Sequence, residues 1–144
     1  MRTLLLACGN PLRGDDGVAS AVLELIAPSP LHTQRAVQQL TPELAEEVGK
    51  FARVVFIDAD AESKRLKIEP VRNANRRAPF TPAAPFTHAV TPEEIVALAS
   101  ALYGFAGEAF LCRIPAGNFS PGEKPEPGVL RCAQDAAAQI ANLI

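Results

Sequence analysis

Two histidines and three cysteines are all that this 144-residue chain offers for imidazole or thiol chemistry. Cys8, Cys112 and Cys132 are odd in number, widely spaced and set in apolar segments, which excludes a disulfide framework. Without a C-x-x-C pair the common structural zinc patterns are excluded as well, so any metal here must be held by oxygen and nitrogen. Long basic runs are also missing. Fourteen Lys and Arg against 16 Asp and Glu give a net charge of -2, and nucleic acid is not an expected partner. The opening MRTLLLACGN has one positive charge and a short apolar stretch. That is less than a secretion signal's core and far below the roughly 20 residues that span a bilayer, so a cytoplasmic protein without a membrane segment is expected. The chain has no spaced-glycine dinucleotide fingerprint, no lysine-bearing phosphate loop and no G-x-S-x-G elbow.

What is present is an ordinary globular composition, 48% hydrophobic and 21% charged, at a length suited to one domain covering 1–144. Residues 2–8 (RTLLLAC) form an apolar run that stops at Gly9-Asn10-Pro11, as a strand buried on both faces would. Val18, Val22, Leu25 and Ile26 then recur at helical spacing until Pro28 and Pro30 end the pattern. Thr41-Pro42-Glu43 starts a second helix whose apolar face is Leu44, Val48 and Phe51, and VVFID at 54–58 is a second buried strand. RLKIEP at 65–70 alternates as a strand near a sheet edge does, and a proline-rich loop follows over 71–87. Thr91-Pro92-Glu93-Glu94 carries the signature of a helix start, with Ile95, Leu98, Ala99 and Leu102 on one face up to Gly104. AFLCRI at 109–114 is a further buried strand, and Val129, Ala133, Ala136, Ile140 and Leu143 mark a terminal helix. Strands apolar on both faces need helices on both faces. The expectation is a three-layer αβα sandwich around a mostly parallel, twisted sheet of about five strands.

In such sheets ligands bind beyond the carboxyl ends of the strands. Asp15 and Asp16 follow the first strand there, and Asp58 with Asp60 closes the second. One of the two adjacent acids can cap the helix that follows, which leaves the other needing a different partner. Asp58 ends an apolar strand, where a lone acid is costly to bury, and either serves a site, already lies in solvent or pairs with a loop arginine such as Arg72, Arg76 or Arg77. His88 sits between the proline-rich loop and the Thr91 helix start. Asp16, Asp58 and His88 together would supply two oxygens and one imidazole nitrogen, with coordination positions left open for a substrate. Cys8 is a nucleophile candidate beside His88, but its place at the end of a buried strand suits packing better. His32 reads as a surface residue in a connection.

MRTLLLACGNPLRGDDGVA, VVFIDAD, PFTHAVTPEEIVALASALYG and LCRIPAGNF, in that order, resemble the nickel-iron hydrogenase maturation proteases. The resemblance implies a three-layer α/β fold, and its metal-ligand set maps onto Asp16, Asp58 and His88. It further implies a nickel-dependent endopeptidase that removes a C-terminal extension from the hydrogenase large subunit precursor after nickel insertion. Nickel would come with that precursor, held by the precursor's cysteines, and the chain itself is expected to be a monomer. Two other readings remain: a metal-checkpoint protein that docks on a hydrogenase precursor without cutting it, and a flavodoxin-like nucleotide binder resting on fold analogy alone.

Overall fold

Leu4, Leu5, Leu6, Val54, Val55 and Ile57 have no exposed surface at all, so consecutive residues of these strands are covered from both sides. The structure, a computed structural model, describes residues 2–9, 17–60, 64–71, 90–115 and 127–144. Among them the elements run β1 (Thr3–Cys8), α1 (Val18–Leu25), β2 (His32–Val37), α2 (Leu44–Val48), β3 (Arg53–Asp60), β4 (Lys67–Pro70), α3 (Pro92–Tyr103), β5 (Glu108–Pro115) and α4 (Pro127–Leu143). The sheet has the order β2-β1-β3-β5-β4. Pairs β1/β2, β1/β3 and β3/β5 are parallel, and β4 runs antiparallel to β5. This is the three-layer α/β architecture expected from the sequence.

Strand alternation divides the interior in two. Leu5, Ala7, Val55, Ile57, Cys112 and Ile114 face α1 and α4, meeting Val22, Ala133, Ala136 and Ile140. Leu4, Leu6, Val54, Phe56 and Leu111 face α2 and α3, meeting Leu44, Val48, Ile95 and Ala99. The N-terminus of α3 forms as its sequence requires. Thr91 Oγ1 accepts from the Glu94 N–H at 3.1 Å, and Glu94 Oε1 accepts from the Thr91 N–H at 3.1 Å. Gly104 ends the helix in the left-handed conformation at φ 68°. At the last turn of α4, Arg53 Nη1 donates to the Leu143 carbonyl, while Arg53 Nη2 pairs with Glu108 Oε1 at 3.1 Å.

Two details differ from the sequence reading. The segment from His32 is a strand rather than a connection, and His32 is buried, 7% exposed, where a surface position was expected. β2 lies at the sheet edge, and its polar residues hide the apolar signature by which buried strands are recognised. The second helix begins later than Thr41: residues 41–43 form a turn, with the Leu44 N–H on the Thr41 carbonyl, ahead of the five-residue α2.

Two glycines have separate reasons to be glycine. Gly104 has nothing within 4 Å of a Cβ placed on it, so only its positive φ resists a side chain, whereas a Cβ at Gly107 would lie 1.9 Å from the Ala52 carbonyl oxygen. In urea unfolding, Gly104→Ala is expected to cost about 1 kcal/mol. Gly107→Ala should cost about 2–3 kcal/mol through forced backbone displacement. Equal losses would contradict this assignment. Cys112, fully buried against α1 and α4, has its thiol pushed up to about 12 by desolvation. At pH 8 its thiolate fraction is then about one in ten thousand, so native protein given iodoacetamide should stay unmodified at Cys112 until it unfolds, as peptide mapping would show.

Candidate functional site

The register of the parallel strands carries polar residues to one edge of the sheet. Cys8 of β1 aligns with Asp58 of β3, and Asp58 aligns with Arg113 of β5. These are carboxyl-end positions of adjacent strands, beyond the fully buried rows. Asp58 and Asp60 follow Val54 and Phe56 by alternation onto the side of the sheet covered by α2 and α3. Both are partly exposed, so neither carboxylate carries the full cost of burial.

Among the described residues Arg113 is a cation of this edge that the sequence reading passed over. Its Nη1 lies 3.7 Å from Asp60 Oδ2, with the two side chains 40% and 26% exposed. At that distance and exposure the pair contributes well under about 1 kcal/mol, yet it sets a positive group next to the row of Asp58. A charged residue inside the apolar run AFLCRI was the available signal. Cys8 packs against the Leu4, Leu6 and Phe56 cluster, and its Sγ donates weakly to the Gln38 carbonyl at 3.9 Å. Those contacts fit the packing role expected for it.

Asp15 and Asp16 fall within 10–16, the connection from β1 to α1, and His88 falls within 72–89, the connection from β4 to α3; both segments lie outside the described residues. Of the proposed ligand set, the structure therefore places Asp58 alone. The described residues flanking these segments are ordered around the carboxyl end. The Gly9 N–H donates to the Val37 carbonyl at 3.0 Å, at the end of β2, and the Val90 N–H donates to the Leu40 carbonyl at 3.3 Å, just beyond it. Helix α1 starts at Val18, with Gly17 at the cap position. The amino end of α3 and its partial positive charge follow directly after Val90. Among the described residues no group of three or more His, Cys, Asp and Glu could hold a metal ion. No helix among them is long and apolar enough to cross a membrane.

No protein-family model matches the chain, and no curated protein matches it. Solved structures do. The hydrogenase maturating endopeptidase HybD from Escherichia coli superposes with a TM-score of 0.71 at 18% identity, over 99% of this chain and 91% of that one. Hydrogenase 2 maturation peptidase from Thaumarchaeota archaeon SCGC_AB-539-E09 gives a TM-score of 0.70 at 19% identity, over 99% of this chain and 97% of that one. The [NiFe] hydrogenase maturation protease HycI from Thermococcus kodakarensis gives 0.67 at 19% identity, over 99% and 91%. At such identities the likeness is one of fold, and the chain has the α/β fold of the [NiFe] hydrogenase maturation proteases.

Proposed function

We propose that the chain is an endopeptidase of hydrogenase maturation, removing the C-terminal extension of a nickel-iron hydrogenase large subunit precursor once nickel is in place. The observation that carries this reading is the position of Asp58. It stands at the carboxyl end of β3, in register with the last residue of β1, in a fold shared along 99% of the chain with proteins named as hydrogenase maturation endopeptidases. The sequence resemblance through GNPLRGDDG and PFTHAVTPEE supports the same reading independently of the fold.

On this proposal nickel is part of the substrate. Asp16, Asp58 and His88 bind the ion that the precursor already holds, so that recognition and licensing are one event. Two carboxylates and one imidazole leave room in the coordination sphere for the precursor's own ligands. The ion polarises the scissile carbonyl or activates water, and a carboxylate moves the proton between water and the leaving amine. Asp58 is suited to that work because its partial exposure leaves it within reach of a docked chain. The half-exposed Arg113 beside Asp60 adds a positive group where negative charge would otherwise accumulate on one edge.

The test is the mass of a nickel-loaded precursor before and after incubation with the protein. Loss of a C-terminal peptide is expected with the natural sequence. Asp16→Ala, Asp58→Ala and His88→Ala should each keep the circular dichroism of the folded chain while cleavage slows by about a hundredfold or more, since weakening a metal ligand's support alone costs about 10–100-fold. Undiminished processing by His88→Ala would remove the imidazole from the mechanism. An intact precursor in a stable complex would instead favour the docking checkpoint.

A further inference from the structure

Arg113 is one of two cations in a single row across the carboxyl end of the sheet. The register runs from Val37 of β2 through Cys8 of β1, Asp58 of β3 and Arg113 of β5 to Lys67 of β4. Alternation sets this row on the side of α2 and α3. Cys8 and Val37 pack with that layer, Arg113 follows Ala109 and Leu111 of the same layer, and Lys67 precedes Ile68, which packs on the opposite side. The row is therefore ordered: Val37 and the thiol on β2 and β1, the acid on β3, and the two cations on β5 and β4.

Two features of the cationic half serve no purpose in the fold. Lys67 and Arg113 stand directly opposite one another in an antiparallel pair, which is unfavourable between like charges. Arg113 also leaves its donors little used. Its one ion pair among the described residues, Nη1 to Asp60 Oδ2 at 3.7 Å, is too long for a hydrogen bond, and the side chain is 40% exposed. Arg53, by contrast, donates from Nη1 to the Leu143 carbonyl and from Nη2 to Glu108. A guanidinium presents its N–H groups in a fork that matches a carboxylate. Asp60 offsets one of the two cations. Once a divalent ion engages Asp58, the row keeps two cations against that single acid.

We propose that Arg113 and Lys67 form an anion subsite beside Asp58 that binds a carboxylate of the precursor's final segment, Arg113 as a two-donor fork and Lys67 as a point charge. The inference rests on the endopeptidase reading and adds a substrate rule to it. A precursor must bring an acidic side chain, or its terminal carboxylate, to the β5 and β4 side of the site. Lys67 is exposed and Arg113 partly so, which lets a carboxylate replace water there without movement of the core.

Two measurements separate the subsite from cleavage. In the first, N-acetylglutamate α-amide is titrated into ¹⁵N-labelled protein and the Arg113 Nε–H is followed by NMR. A saturable shift is expected, absent with N-acetylglutamine amide and lost in Arg113→Gln. No shift, or equal shifts with the two probes, would overturn the proposal whether or not the protein cuts a precursor. In the second, nickel-loaded precursor is processed. Arg113→Gln should raise KM by about tenfold or more while kcat stays within about twofold, and Lys67→Gln should raise KM less. The precursor's final acidic residues are then changed singly to Asn or Gln, and a glycine tail is added to move its terminal carboxylate. One of these changes should raise KM for the natural protein and leave it unaltered for Arg113→Gln. An unchanged KM in Arg113→Gln, or no such precursor change, would overturn the subsite and leave the endopeptidase reading intact. A protein that binds the glutamate probe at Arg113 but leaves the precursor whole would support the subsite and remove the endopeptidase reading.

Discussion

A strand covered on both faces can present polar groups only at its ends. That constraint organises this chain, because β1 and β3 lie between two helical layers and the interior rows of both are apolar without interruption. The parallel register then does the rest. Strands aligned residue by residue deliver their last side chains to a common edge, so Cys8, Asp58 and Arg113 become neighbours although 50 and 55 positions separate them in turn. The two charged groups among them lie there because the apolar interior excludes charge from the middle of these strands.

The same constraint explains what was legible in the sequence. β1, β3 and β5 are readable because runs such as LLLAC and VVFID admit no helical period and no solvated face. Helix α3 is readable because Thr91, Pro92 and Glu94 each satisfy a backbone requirement of a helix start. β2 is not, because an edge strand is solvated in part and its pattern HTQRAV carries neither an apolar run nor a clean alternation. His32 was misplaced for the same reason: once β2 is taken for a connection, nothing in the sequence brings α1 and α4 over its first residue. Arg113 escaped notice because a strand's apolar neighbours outvote one charge. Its importance comes from registry with Asp58, a long-range property that local pattern does not encode. Asp58 itself was legible, since an acid that ends an apolar strand has to be accounted for.

The sheet's two exposed edges are managed differently. β4 is four residues long and ends in Pro70, whose missing N–H makes it a poor template for another strand. β2 is longer and carries Arg35, tied to Glu47 of α2 at 2.6 Å, so that one charge of the edge strand is anchored to the helical layer. Short, charged or proline-bearing edges discourage pairing with other chains.

Contrast between the two ends of the sheet gives the last step. At the amino end, Arg53 is matched by Glu108 and by the Leu143 carbonyl, so charge there is spent on closing the fold. At the carboxyl end, the Asp60 and Arg113 side chains are 3.7 Å apart and partly exposed, a pair of opposite charges beside Asp58. A sheet buried on both faces offers charged groups to another molecule at its ends. Gly9 and Val90, the described residues next in the chain to the segments bearing Asp16 and His88, bond to Val37 and Leu40 at and just beyond the carboxyl end of β2.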